Sequence, residues 1–324
     1  MAPRPRPAKA SHEPSPSAAT RRSTRTATRR RVLGAGVGLA AGLSLLGWVW
    51  PERDRAVQEE TLPSANALAE PPSRPISVLL IGSDADRRGA VRNGAAPPGP
   101  ANSDALLLVQ VNPHAALQVL SLPVETAVRL PGDKQSVALG SLYRRGGPAL
   151  VAGATAELLH LPPGQPDRYL VLPRSALRQL VDGIGRVELA PDRSMRYRDK
   201  AQNLSIQLEG GLQVLNGQQV EQLLRFRDPE RGEDARRERQ QMAIDSVLRQ
   251  MGERRQLQQL PDLLAALQNQ VDTNLTQSEA LSLLAAVLQQ SEPVRYGSLS
   301  LRPPLNPKDR LRQLDAAAQQ PWPN

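Results

Sequence analysis

Two aspartates open the chemical reading of this chain. Asp84 lies just past the apolar run Ile76-Ser77-Val78-Leu79-Leu80-Ile81-Gly82, and Asp104 directly precedes the run Ala105-Leu106-Leu107-Leu108-Val109-Gln110-Val111. Short, nearly continuous apolar runs of this kind predict buried strands. If the two strands pair as antiparallel neighbours, the end of one meets the start of the other, and both carboxylates share one edge of a sheet. Two Asp with no softer ligand beside them suit Mg2+, a hard ion that takes oxygen ligands. Asp also caps turns at strand ends, so that role stays open.

The second constellation is basic. Arg225-Phe226-Arg227 sets two guanidinium groups on alternate positions, which in extended backbone share a face. Arg236 and Gln240 stand four apart on one face of the helix expected next, with Arg239 adjacent. Guanidinium forks offer bidentate donors, so Arg225, Arg227, Arg236, Arg239 and Gln240 form a candidate phosphate pocket. The competing reading is a solvated helix face paired with Glu230, Glu233 and Glu238, and Arg231 and Arg237 belong to that face.

These groups need a frame. A third strand is expected over Leu117–Leu122, set off by the Asn112-Pro113 turn signal, with further strands over Arg168–Leu172, Arg186–Leu189 and Leu204–Leu208. Helices are expected over Ala149–Leu159, Ser175–Val181, Gln218–Leu224, Glu233–Met251, Leu257–Leu267 and Thr276–Gln290. The last of these opens on a Thr276-x-x-Glu279 capping box. The mixture predicts an α/β protein: an α/β/α sandwich with a mixed central sheet and helices on both faces.

Composition narrows the chemistry. The 324 residues hold no Cys, which excludes disulfides, thiolate metal sites and a Cys nucleophile. Three His exclude a His-rich zinc site and argue against a Ser-His-Asp triad. The net charge of +9 is concentrated in residues 1–31, whose nine bases and one acid leave the rest at +1. A nearly neutral body, in a chain with only eight aromatic residues, does not predict a nucleic-acid partner.

Residues 32–50, VLGAGVGLAAGLSLLGWVW, carry no charge over 19 positions, the length of a membrane-spanning helix. Arg29-Arg30-Arg31 precede the segment, and Trp48 and Trp50 close it at the interfacial position. The positive-inside rule then predicts a single-pass plasma-membrane protein, N-terminus cytoplasmic and body outside. The competing reading is a cleaved signal peptide. Against it, no small-x-small site directly follows the run. Residues 1–31 read as a basic, disordered cytoplasmic tail facing anionic lipid, residues 51–74 as a linker, 75–252 as the main domain and 253–324 as a helical C-terminal extension and tail.

The ordered motifs resemble the LytR-CpsA-Psr family of bacterial envelope proteins. They are Gly82-Ser83-Asp84, Asn102-Ser103-Asp104, Ser121-Leu122-Pro123-Val124-Glu125-Thr126, Tyr143-Arg144-Arg145-Gly146-Gly147-Pro148, Val181-Asp182-Gly183-Ile184-Gly185, Leu215-Asn216-Gly217-Gln218, Arg225-Phe226-Arg227 and Arg236-Arg237-Glu238-Arg239-Gln240-Gln241. Order and spacing match over about residues 75–252. The resemblance implies a phosphotransferase that moves a glycan from a polyprenyl-pyrophosphate carrier to a cell-wall hydroxyl, usually on peptidoglycan. It implies that Asp84 and Asp104 hold Mg2+, that Arg225, Arg227, Arg236 and Gln240 grip the pyrophosphate, and that apolar residues between helix and sheet hold the lipid.

Several positions depart from the family pattern. Asn102, Val124 and Ala138 stand where it carries cations, and Gly140 where it carries Asn. Arg87, Arg88, Arg129, Lys134, Arg144 and Arg145 are the candidate replacements. Two functions are therefore expected: an active glycopolymer transferase with a rearranged cation set, or a non-catalytic member that binds lipid-linked glycan or an envelope partner.

Overall fold

The computed structural model describes residues 64–90, 101–200, 204–228, 230–304, 306, 309–315 and 322. The basic tail, the expected anchor at 32–50 and the linker as far as residue 63 lie outside the described residues. Among those described, no helix is long and apolar enough to cross a membrane.

In chain order the elements are β1 (Ile76–Ser83), β2 (Ser103–Val111), β3 (Gln118–Ser121), β4 (Ala127–Val128), β5 (Val137–Ala138) and α1 (Tyr143–Leu158). There follow β6 (Arg168–Leu172), α2 (Arg174–Gly183), β7 (Val187–Leu189), β8 (Met195–Asp199), β9 (Leu204–Leu208), β10 (Gln213–Leu215) and α3 (Gly217–Arg225). The chain continues through α4 (Gly232–Met251), α5 (Arg254–Leu267), β11 (Asp272–Thr273), α6 (Gln277–Leu288) and β12 (Arg295–Ser298). Six strands form one sheet in the order β11-β6-β1-β2-β3-β12. Pairing is antiparallel for β1–β2, β2–β3 and β11–β6, and parallel for β1–β6 and β3–β12, so the sheet is mixed as expected.

Strand alternation sorts the apolar residues onto two faces. Leu79, Ile81, Leu106 and Leu108 pack with Val151 of α1 on one side. Leu80, Leu107, Val109 and Val111 pack with Ile244 and Leu248 of α4 and Val287 of α6 on the other. That double burial is why β1 and β2 read as nearly continuous apolar runs. A second core, away from the sheet, gathers Val187, Met195, Ile206, Leu208, Val220, Leu223 and Phe226. It fixes α3 and the turn that follows.

Two differences from the sequence reading have plain causes. The helix expected from Ala149 starts at Pro148, after Gly146 and Gly147 leave helical backbone (Gly147 at φ 64°), and a short helical turn from Tyr143 precedes that break. Both edge strands of the sheet, β11 and β12, come from beyond Gly252, the segment read as a helical extension. Short, polar edge strands such as Arg295-Tyr296-Gly297-Ser298 give little periodic signal. The described end of the expected linker is likewise built in: Leu68 packs on the second core, and Arg74 pairs with Asp167 at 2.9 Å.

Candidate functional site

The antiparallel β1–β2 register brings the two aspartates to one edge, as their spacing predicts. Gly82 faces Ala105, but the next pair is Ser83 with Ser103. Asp104 is therefore the extra residue of a β-bulge, a device that re-aims a side chain beside functional sites. Small residues permit it: a Cβ on Gly82 would approach the Ala105 Cβ to 3.1 Å. Asp84 is 7% exposed, its N–H donates to the Asn102 carbonyl at 3.1 Å, and its Oδ1 accepts the Asn102 N–H at 2.8 Å. The turn-capping role is thus real for Asp84, and it fixes the carboxylate against the start of β2.

Helix α4 supplies the next groups. The Arg236 guanidinium donates to the backbone carbonyl of Asp104 and pairs with Glu233 at 3.3 Å. Arg236 and Gln240 line one cleft with Asp104, Val124, Glu125 and Glu233. The i, i+4 spacing read from the sequence is what sets both on the sheet-facing side.

The other arginines are placed differently from one another. Arg225 is the last residue of α3 rather than part of an extended run, so it does not share strand alternation with Arg227. Its guanidinium pairs with Glu221 at 3.3 Å. Phe226 turns into the second core, and Arg227 is exposed with no ion pair or hydrogen bond to another described residue. Arg239 is 2% exposed, lies 5.5 Å from the Phe226 ring centroid and donates to the Phe226 carbonyl at 2.6 Å. Burial pushes its guanidinium below the usual range, with Asp192 and Asp228 opposing. Arg239 therefore supports the Arg225–Arg227 turn from beneath and does not line the Asp104 cleft.

Sequence reasoning missed the partners of Arg225. Glu221, buried, also accepts from Arg174 at 3.1 Å and Arg178 at 2.7 Å, and Arg174 pairs with Asp86. Burial pushes the Arg174 guanidinium down, Glu221 opposes, and Arg225 and Arg178 add to the lowering. The i, i+4 spacings of Glu221–Arg225 and Arg174–Arg178 carried a signal, but one shared with ordinary surface pairs.

A second cleft of about 390 Å3 opens beside Ser83, lined among others by Arg87, Arg88, Tyr143, Arg144 and Asp272. Burial raises the Tyr143 hydroxyl above its usual range, Asp272 and Asp84 add to this, and a hydrogen bond with Ser83 opposes. Of the six replacement cations, Arg87, Arg88 and Arg144 meet here, and none of their guanidinium groups has an ion pair or hydrogen bond with another described residue. Arg129 and Lys134 are exposed elsewhere, and Arg145 pairs with Asp133 at 3.4 Å.

The donor chemistry fits a hard divalent ion only with help from a substrate. Among the described residues, no group of three or more acids and histidines surrounds a metal position. Two carboxylates on one edge match the sparing protein ligation of Mg2+, which keeps waters and phosphate oxygens for its remaining positions.

The domain is thus a mixed sheet with helices on both faces, carrying acids at a bulged end and arginines around it. The LytR_cpsA_psr family profile matches residues 52–305, and the chain belongs to that family. A polyisoprenyl-teichoic acid–peptidoglycan teichoic acid transferase, TagU, of Bacillus cereus is 24% identical over 213 residues, 65% of this chain and 64% of the relative. TagU of Bacillus mycoides is 26% identical over 229 residues, 69% of each chain. The chain thus spans somewhat under two thirds of the B. cereus protein. Among solved structures, B. subtilis TagV superposes with a TM-score of 0.62 at 20% identity, over 76% of this chain and 94% of TagV. TagT bound to LI-WTA gives 0.56 at 18%, over 76% and 87%. These likenesses show the fold.

Proposed function

We propose that the chain is a membrane-anchored transferase that moves a glycopolymer from a polyprenyl-pyrophosphate carrier to a hydroxyl of the cell wall, with peptidoglycan as acceptor. The observation that carries this reading is the Asp104 bulge, which sets one carboxylate in a cleft with Arg236 and Gln240 and the other directly beside it. The names of the TagU relatives support the same class of reaction. Arg87, Arg88 and Arg144 supply cations near Asp84 where Asn102, Val124 and Ala138 do not.

In this reading the acceptor oxygen attacks the phosphorus next to the glycan. The bridging P–O bond breaks, polyprenyl phosphate leaves, and a carboxylate at the bulged edge takes the hydroxyl proton. Arginines neutralise charge on the non-bridging and leaving oxygens, where it grows in the transition state. Mg2+ held by Asp84 and Asp104 would add charge stabilisation at the same oxygens. The apolar residues between α1 and the sheet lie under both clefts, where the family's lipid chain would enter.

One observation favours the non-catalytic alternative. Val124 occupies the position of a family cation, and it is packed in place: a Cβ on Gly140 would stand 2.8 Å from the Val124 Cβ and 2.9 Å from the Ser103 carbonyl oxygen. The discriminating experiment incubates the purified full chain with lipid-linked glycan, acceptor and Mg2+ and follows polyprenyl phosphate. Release that disappears in Asp84→Asn and Asp104→Asn supports the transferase; tight binding without release leaves the binder. The topology proposed is a single pass at residues 32–50, with anionic lipid at the basic tail. A periplasmic-type reporter fused after Asn324 should be active, and activity of a cytoplasmic reporter there would overturn the outside placement.

A further inference from the structure

Glu221 is 4% exposed, yet it sits among three guanidinium groups. Its Oε1 accepts from Arg174 at 3.1 Å and from Arg225 at 3.3 Å, and its Oε2 accepts from Arg178 at 2.7 Å. Arg174 reaches onward to the Asp86 carboxylate, and its backbone N–H donates to the Ala85 carbonyl at 3.0 Å. A continuous path of charge-assisted bonds therefore joins Arg225 to the segment that directly follows Asp84.

The physics of that arrangement is specific. Three guanidinium groups held this close repel one another, more so where burial lowers the effective dielectric. A single carboxylate among them offsets that repulsion and fixes each fork in a plane. Arg has a long stem with much rotamer freedom, so anchoring one side of the Arg225 fork restricts the orientation of the whole guanidinium plane. Breaking such a partly buried set from the acidic side leaves uncompensated cations.

We propose that Glu221 is a positioning residue: it holds the Arg225 guanidinium in the orientation that meets a phosphate, and through Arg174 it registers Arg225 against the Asp84 segment. The inference rests on the proposed function only in taking Arg225 as a phosphate contact.

The test titrates inorganic pyrophosphate with Mg2+ into the full chain by calorimetry, for the parent, Glu221→Gln, Glu221→Asp, Arg225→Ala and the two Glu221 variants combined with Arg225→Ala. Glu221→Gln should weaken binding about tenfold, and Glu221→Asp, which keeps the charge but withdraws it by one methylene, about threefold. Neither change should weaken binding further once Arg225 is Ala. A residue that only supports the fold would cost the same factor in both backgrounds. Unchanged affinity in Glu221→Gln, or equal losses with and without Arg225, would overturn the proposal. If Arg225→Ala alone binds pyrophosphate as the parent does, the phosphate role of Arg225 fails, and the proposal falls with it. Should Glu221→Gln not fold by circular dichroism, the Glu221→Asp pair carries the same comparison.

Discussion

Neighbouring arginines in one short stretch take opposite roles here, and the difference lies in what each guanidinium touches. Arg236 faces the Asp104 cleft, so Arg236→Ala should weaken a pyrophosphate analogue about tenfold or more, from roughly 1.5–3 kcal/mol per charged hydrogen bond. Arg239 lies beneath the Phe226 carbonyl and ring. Arg239→Ala should instead lower stability by about 1–3 kcal/mol, the cost of an unsatisfied buried carbonyl, measured by urea denaturation. Arg227→Ala, at an exposed position, should leave the denaturation midpoint unchanged. That Arg236 and Gln240 share one helix face was legible because helical spacing is rigid. It could not separate Arg239 from them, because three residues on a helix turn a side chain only part of the way round, and the core that swallows Arg239 is built from distant strands.

Between elements, the close approach of α2 and α3 decides where Arg225 stands. A Cβ on Gly217 would fall on the Arg178 backbone, which cannot retreat as a flexible side chain can. Gly217→Ala should therefore force the helices apart, cost more than the roughly 1–3 kcal/mol of ordinary overpacking, and weaken pyrophosphate binding as Arg225 moves with α3. Urea denaturation and calorimetry on one variant check both. A second joint ties β6 to the start of α6, where Arg168 pairs with Glu279. The bond from Arg168, with the Thr276 N–H, holds the Glu279 carboxyl down to about 2 from 4.5. A lowered carboxyl stabilises the fold above its unfolded value and loses that contribution as pH falls through about 2. Both side chains are over a third exposed, so screening limits the effect to about 1 kcal/mol or less. Thermal midpoints should fall more steeply for the parent than for Glu279→Gln between pH 4.5 and 2. The Thr276–Glu279 capping box was legible because it is local: four residues contain the whole interaction. The helical turn that precedes the kink in α1 was not, since residues 143–147 read equally well as a loop before the helix.

At the scale of the molecule, the strands that carry the aspartates sit in the middle of the sheet, and both flanks come from the last quarter of the chain. β12 lies parallel to β3, and Tyr296 on it donates to the Asp245 carboxylate of α4 at 2.7 Å. A chain ended before Arg295 should lose that strand and leave β3 as an open edge; it should show a lower melting midpoint and self-association by light scattering. The central strands were legible as apolar runs, whereas the flanks are short and polar and are strands only because a neighbour is already there. The pairing of Gln118 with Arg295 also sets an order of events. During synthesis the strands bearing Asp84 and Asp104 emerge first, and β3 must keep an unpaired edge until β12 has followed. Such distant pairing makes folding slow and exposes the intermediate to other chains. The vulnerable interval in folding is therefore the one between formation of β3 and arrival of β12, and a chaperone that helps this chain would act then.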